Sequence, residues 1–188
     1  METRNKQRTA VAALVLSIAG FLGMVEREGY SDKAVIPTEG DRPTLGFGST
    51  FHEDGTPVKM GDTTTPVRAL IKVKAHIDKE EVKFRESLPG VELYQEEYDQ
   101  YWDWAYQFGV GAWLKSPMRT HLLAGQHPQA CKALLAYRFV TSSKPIAGWE
   151  QYAPKRWRYD CSTPGNKVCR GVWTRQLNRY QACMEAQT

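Results

Sequence analysis

The stretch Glu28-Gly29-Tyr30-Ser31-Asp32-Lys33-Ala34-Val35-Ile36-Pro37-Thr38-Glu39-Gly40-Asp41-Arg42-Pro43-Thr44-Leu45-Gly46-Phe47-Gly48-Ser49-Thr50 decides how this chain is read. An apolar run precedes it, so Glu28 falls at the end of a helix that Gly29 terminates. A carboxyl placed there meets the negative end of the helix dipole, which favours its protonated form. Extended from Thr44 to Ser49, the chain would send Thr44, Gly46 and Gly48 to one face and Leu45 and Phe47 to the other. The first face is one hydroxyl flanked by bare backbone that a bulky ligand can approach. The second holds apolar anchors for a core. An acid facing such a strand suits general-acid chemistry. The same residues also fit an inert helix followed by a glycine-bearing hairpin, because helix-then-Gly is common.

Upstream, Arg4, Lys6 and Arg8 stand against Glu2, and Ala10 to Val25 is a run of sixteen residues without a charge. A membrane-spanning helix wants about 20 apolar residues. This run is short and weakly hydrophobic, with four alanines, two glycines and a serine. Cleavage as a signal peptide near Gly20 or Gly23 would strip the helix from Glu28, so an uncleaved segment is expected. Val11, Leu14, Val15, Ile18, Phe21, Leu22 and Val25 recur at helical spacing, while Ala12, Ala13, Ala19, Gly20 and Gly23 make the other side small. Two readings stay open: a marginal membrane anchor, or the first buried helix of a globular domain.

Downstream, Phe51 to Asp62 is turn-rich, with Asp54-Gly55 as a hairpin signal, and predicts a small antiparallel sheet together with residues 42–50. Thr65-Pro66 reads as an N-cap followed by Pro at the first helical position. A long helix should run from Pro66 to Ser87, with Val67, Leu70, Ile71 and Val73 as its apolar positions and Lys79 to Arg85 as a solvated face. The set Tyr98, Tyr101, Trp102, Trp104, Ala105, Tyr106 and Phe108 is dense enough to be mainly core. A further helix is expected from Cys131 to Phe139. Residues 140–170 read as an irregular loop in which Lys155-Arg156-Trp157-Arg158-Tyr159 is a surface segment.

The 188 residues suit one domain, and the net charge of +4 fits an anionic partner without a compact basic recognition helix, which argues against nucleic-acid binding. None of the four cysteines forms a C-x-x-C pair and the four histidines are scattered, so no metal or other cofactor is expected. Turn residues fill the interval between Cys161 and Cys169. Four cysteines allow three pairings. Cys161–Cys169 is expected across that loop, and Cys131–Cys183 between two late helices. Both point to an oxidising compartment.

The segment from Glu28 to Thr50 resembles the active-site segment of phage-type lysozymes, the muramidase endolysins that cut bacterial peptidoglycan. Ala34, Gly40, Thr44, Gly46, Gly48 and Thr50 fall on that family's pattern. The passages Gln95 to Gly109, Ser116 to Gly125 and Gly171 to Cys183 resemble its later helices, with Gln107 where the family has Asn. The resemblance implies an α+β, mostly helical, lysozyme-like fold: a small antiparallel sheet lobe and a helical lobe joined by a long helix. It implies a phage-encoded monomer with residues 1–27 as anchor or first helix and residues 28–188 as catalytic domain. The substrate would be the β-1,4 bond between MurNAc and GlcNAc, which needs a proton donor and a second group to handle water. Glu28 would be the donor, with Asp41 and Thr44 positioning water.

The family's second carboxylate follows the Glu by nine residues, and here that position is Pro37. Asp41 is preferred in its place, with Glu39 and Asp32 as alternatives and Thr38 as a possible hydroxyl. A lytic transglycosylase and a non-catalytic, membrane-tethered peptidoglycan-binding protein are the competing readings. The basic start and weak apolar run resemble signal-arrest-release endolysins, which implies tethering to the host inner membrane through residues 10–25 before release to the periplasm.

Overall fold

The structure is a computed structural model that describes residues 7–38 and 40–188; Arg4, Lys6 and Glu39 lie outside the described residues. In chain order the elements are β1 (Thr9–Ala10), α1 (Ile18–Glu28), β2 (Ser31–Val35), β3 (Thr44–Gly46), α2 (Pro66–Glu86), β4 (Glu92–Leu93), α3 (Gln95–Phe108), α4 (Val110–Trp113), α5 (Pro117–Leu123), α6 (His127–Ala133), β5 (Phe139–Ser142), β6 (Glu150–Ala153), β7 (Arg156–Asp160) and α7 (Arg170–Glu185). The architecture is α+β and mostly helical, as expected, with small antiparallel sheets around a helical core.

The apolar run does not form one helix. β1 pairs with β4, a 3-10 turn covers Val11–Ala13, and the chain then runs extended to Ser17. Buried carboxylates hold this strap. Glu81 accepts the Leu16 N–H at 2.5 Å, and Asp99 accepts the Ser17 N–H at 3.0 Å and its hydroxyl at 2.5 Å. Two more bonds, from Arg85 to the Leu14 carbonyl and from Gln95 to the Val15 carbonyl, complete the tie. Ser17 then caps α1 by accepting the Gly20 N–H. The expected stripe is therefore redistributed. Val11, Leu14, Leu16 and Met24 enter the core, while Val15, Ile18 and Leu22 remain 57%, 80% and 56% exposed. The cause is that two buried carboxylates need donors, and an extended backbone supplies N–H groups that a helix would keep for itself.

α2 starts where Thr65 accepts the Arg68 N–H, as the Thr-Pro pair predicts. At 21 residues it is about 31 Å long and joins the two lobes. Its buried positions are Ala69, Val73, Ile77, Glu81 and Phe84, whereas Val67 and Ile71 point to solvent. So the charged stretch is not all solvated: Glu81 and Phe84 belong to the inward stripe.

Phe84 meets three aromatic rings, with centroid distances of 5.4 Å to Tyr98, 5.2 Å to Trp102 and 4.7 Å to Trp113. These rings, with Tyr101 and Trp104, form the sealed centre of the helical lobe. The Cys131–Cys183 disulfide ties α6 to α7 at its edge, and Cys161–Cys169 closes the loop before α7. The helix expected at Cys131 to Phe139 starts earlier, at His127, and gives way to a 3-10 turn at Leu134–Ala136.

Residues 139–160 are not an irregular loop. β5, β7 and β6 form a three-stranded antiparallel sheet with β7 central. Arg158, in the supposed surface segment, reaches Glu150 with two nitrogens at 2.8 and 3.2 Å and lies 4.5 Å over the Phe139 ring. Cross-strand pairing organises a segment whose Pro and Gly residues read as an irregular loop one residue at a time.

The small lobe is the β2–β3 hairpin and the turns that follow. Ser31 pairs with Gly46 and Val35 with Thr44, so β2 carries a bulge between these points. Ala34, Leu45 and Val58 form its own small core. The Asp54-Gly55 turn forms as expected, with Asp54 accepting the Thr56 N–H at 2.9 Å and its hydroxyl at 2.7 Å.

Candidate active site

Glu28 is the last residue of α1 and is exposed. Two neighbours hold it in place. On one side Arg27 bonds Asp103 of α3, which also accepts from Arg179 of α7 at 2.6 Å. Beyond Gly29, which turns the chain at φ 70°, the Tyr30 ring packs on Phe47 at 5.3 Å. The first contact fixes the helix end to the helical lobe, and the second clips it to the hairpin. An exposed carboxyl is thereby fixed by packing of its neighbours.

A cleft between the hairpin and the helices holds a cavity of about 270 Å³, lined by Phe47 to Phe51, by Lys72, Val73 and His76 of α2 and by Tyr106 of α3. Burial, reinforced by the negative charge of Glu28, raises the Tyr106 pKa, so Glu28 lies within electrostatic reach of that wall. Burial also lowers the Lys72 pKa, against the pull of Glu53 and Asp54. Tyr106, Lys72 and His76 were not singled out from sequence as site residues. Tyr106 was hidden in an aromatic set that is otherwise core, and only its place near the Gly109 end of α3 marks it as different.

The β3 strand is shorter than expected. It covers Thr44–Gly46, and Leu45 exchanges both backbone bonds with Ser49 across a tight turn. Leu45 goes to the small core, while Phe47 packs against the helical one. The two glycines also separate. Gly46 is buried at φ 67°, and a Cβ there would lie 2.8 Å from the Ala69 Cβ, so its bareness serves the docking of the hairpin on α2. Gly48 has nothing within 4 Å of such a Cβ and lines the cleft, so it is the one that leaves room for a ligand.

Thr44 donates its hydroxyl hydrogen to the Val35 carbonyl at 3.3 Å, which leaves its oxygen lone pairs to accept from a water. The register sets the order of groups along the hairpin. Glu28 precedes the Ser31–Gly46 pair, and Thr44 lies two strand residues further, about 7 Å on. Asp41 is exposed in a turn closed by its own N–H on the Thr38 carbonyl at 2.9 Å, beyond the Thr44 end. Asp32, in β2 beside Ser31, belongs to the Glu28 end. Thr44 thus stands between Glu28 and Asp41, not between Glu28 and Asp32.

The lysozyme-like fold is shared with several solved structures. An endolysin from Escherichia coli O157:H7 phage FAHEc1 superposes with a TM-score of 0.70 at 21% identity, covering 92% of this chain and 95% of that one. A mutant of P22 lysozyme matches with a TM-score of 0.66 at 21% identity, covering 91% of this chain and 99% of that one. The active form of P1 phage endolysin Lyz matches with a TM-score of 0.63 at 14% identity, covering 96% and 97%. No curated protein sequence matches the chain. At these identities the superpositions speak for the fold. The assignment comes from the family profile described as phage lysozyme, which matches residues 25–156 and so takes in Glu28, the hairpin, the linking helix and the aromatic helix. With an acid on the end of α1, a hairpin opposite it and the profile spanning both, this chain belongs to the phage lysozyme family.

Proposed function

We propose that this lysozyme hydrolyses the β-1,4 bond between MurNAc and GlcNAc of peptidoglycan with Glu28 as general acid. Glu28 gives its proton to the glycosidic oxygen as the C–O bond breaks. A water between Thr44 and Asp41 attacks the anomeric carbon from the opposite face, and Asp41 takes the water's proton. The anomeric configuration is inverted. The observation that carries this reading is the order Glu28, Thr44, Asp41 along the hairpin, since inversion needs carboxylates far enough apart to admit water, about 6.5–9.5 Å. Glu28→Gln should keep the melting temperature and lower wall clearing by about 10²-fold or more. Asp41→Asn should cost more activity than Asp32→Asn or Glu39→Gln. Mass spectrometry of digested peptidoglycan should show reducing ends. Normal clearing by Glu28→Gln overturns the acid, a dominant effect of Asp32 or Glu39 overturns the second carboxylate, and 1,6-anhydro products make the enzyme a transglycosylase.

The reading extends to control. In it, residues 10–25 tether the exported chain to the inner membrane as a helix and later become the strap and most of α1. No helix among the described residues is long and apolar enough to cross a membrane, so the tethered form has to differ from the folded one at this segment. The exposed Val15, Ile18 and Leu22 support a membrane-facing past for the segment. While it is in lipid, Glu81 and Asp99 lose the donors that Leu16 and Ser17 supply and the end of α1 is not fixed, so Glu28 is out of place. Gly23→Leu should prolong tethering and delay lysis. It is a better test than Gly20→Leu, because a Cβ at Gly20 meets Leu16 at 2.8 Å and Asp99 at 3.0 Å, whereas at Gly23 the nearest atom is an Arg27 nitrogen at 3.4 Å. Recovery of the wild type from the cytoplasm alone, with lysis dependent on a holin, would refute tethering.

A further inference from the structure

We infer that the cavity between α1, α3 and α7 is a binding site for a phosphate-type oxyanion. It has a volume of about 560 Å³ and is lined by Arg27, Asp103, Arg170, Gly171, Arg175 and Arg179 among others. Four guanidiniums face one carboxylate. Asp103 already serves two of them, Arg27 and Arg179. Arg170 and Arg175 have no ion-pair partner among the described residues, so the lining carries uncompensated positive charge.

The interior end of the cavity is built, not incidental. Arg179 is 2% exposed, with its other nitrogens on the Gln176 side chain at 3.2 Å and the Asp103 carbonyl at 3.1 Å. Burial, aided by the like charges of Arg175 and Arg27, outweighs Asp103 and lowers its pKa. The open end is the first turn of α7, a 16-residue helix whose N-cap residue Cys169 makes no side-chain cap. Arg170 and Gly171 bring that turn to the cavity; the Val172 N–H bonds the Cys169 carbonyl at 3.0 Å, and the two N–H groups before it, at the positive dipole end, attract anions. The Cys161–Cys169 disulfide holds the start of the helix in place. Arginine forks match the oxygens of a phosphate better than those of a neutral sugar, which would leave these charges unanswered. The shared chemistry is a tetrahedral phosphate group, whether a free ion or a phospholipid headgroup.

The test uses the full oxidised chain and does not depend on the role of Glu28. Inorganic phosphate is titrated against chloride at constant ionic strength while amide NMR shifts are followed. Saturable shifts centred on Gly171 and its neighbours are expected. Arg170→Gln with Arg175→Gln should weaken binding by about tenfold or more, since two charge-assisted contacts are removed. Lys155→Gln with Arg156→Gln removes the same net charge from the β6–β7 turn and should leave binding unchanged. Vesicles of phosphatidylglycerol and of phosphatidylcholine separate the sources. Phosphate-competed sedimentation with the anionic vesicles identifies a headgroup, and phosphate binding without sedimentation identifies a free ion. Non-saturable shifts, shifts centred elsewhere in the wild type, or equal weakening by both double variants would overturn the site. The wild-type shift map decides the matter even if the first double variant does not fold.

Discussion

The two sides of the cleft differ in how they are held. On the helical side, Phe84, Tyr98, Tyr101, Trp102, Trp104 and Trp113 are all nearly sealed from solvent and a disulfide links α6 to α7. On the hairpin side the buried apolar set is Ala34, Leu45 and Val58. The proposed acid rides on the stiff side, pinned through Arg27 and Asp103. The proposed water-holding groups ride on the soft side, where Gly46 presses against Ala69. The acid can thus be presented in one orientation while the hairpin adjusts to a glycan strand. Local stability follows buried contact, so the hairpin should open well before the helical lobe.

The strongest way to break this comparison is to damage each core separately. Trp102→Ala should cost about 3–5 kcal/mol and lower the melting of the whole chain, whereas Leu45→Ala, in a cluster that can collapse, should cost about 2 kcal/mol. Hydrogen exchange should place the second loss in residues 31–63. Equal costs and one shared transition would mean that the lobes are a single unit. Next in size are the disulfides. Loop-closure entropy gives about 4 kcal/mol for Cys131–Cys183, separated by 52 residues, and about 2.5 kcal/mol for Cys161–Cys169, separated by 8. Denaturant titration of the two paired Cys→Ser variants checks the order.

A smaller effect sharpens the picture at the hinge. Gly46→Ala forces a side chain into a left-handed backbone and against Ala69, at about 1–3 kcal/mol. Its wall-clearing activity should fall further than its melting temperature, because the hairpin is displaced while the helical core stays. Activity and stability falling in parallel would argue against a separate lobe.

The least effect expected is a pH dependence from the buried carboxyls of the stiff side. Burial opposes the charge of Glu97, but His127, the Tyr94 N–H, Gln187 and Arg8 outweigh it and hold the carboxyl below its usual 4.5. Glu97 therefore adds stability above the unfolded value, and that stability is lost as pH falls through the lower folded value. Asp99 works oppositely: burial raises its pKa despite the bonds from Ser17 and Gln95, so its contribution weakens as pH rises through the carboxylate range. Glu97→Gln should flatten the acid limb of the stability curve, and an unchanged limb would remove Glu97 from the account.

Much of the fold can be read residue by residue. Thr65-Pro66 marks the start of α2, the aromatic set marks α3, Asp54-Gly55 marks a turn, and turn residues mark the Cys161–Cys169 pair, which leaves Cys131 with Cys183. The misreadings share one cause. Val67 and Ile71 are apolar but outward, Glu81 is charged but inward, and residues 14–16 are apolar but extended, because packing and hydrogen bonding between distant segments decide which face is buried. Of the proposed site, Glu28 and Thr44 are the groups that the glycine-rich motif marks in the sequence. Tyr106, Lys72 and His76 were not legible, since nothing local distinguishes a cleft wall from a core or a solvated face.

By itself, then, the sequence determined what depends on neighbours along the chain: where helices start and stop, which glycines permit turns, which cysteines can close loops, and that a carboxyl ends a helix before a hairpin. Caps, φ restrictions and spacing act within a few residues. Only the tertiary structure decided that the apolar run splits at Ser17, that Gly46 meets a helix while Gly48 meets the cleft, that residues 139–160 pair as a sheet, and that four arginines share one cavity. Those outcomes turn on satisfying buried carboxylates and fitting backbones together across tens of residues. Such demands exist only once the distant partners are in place.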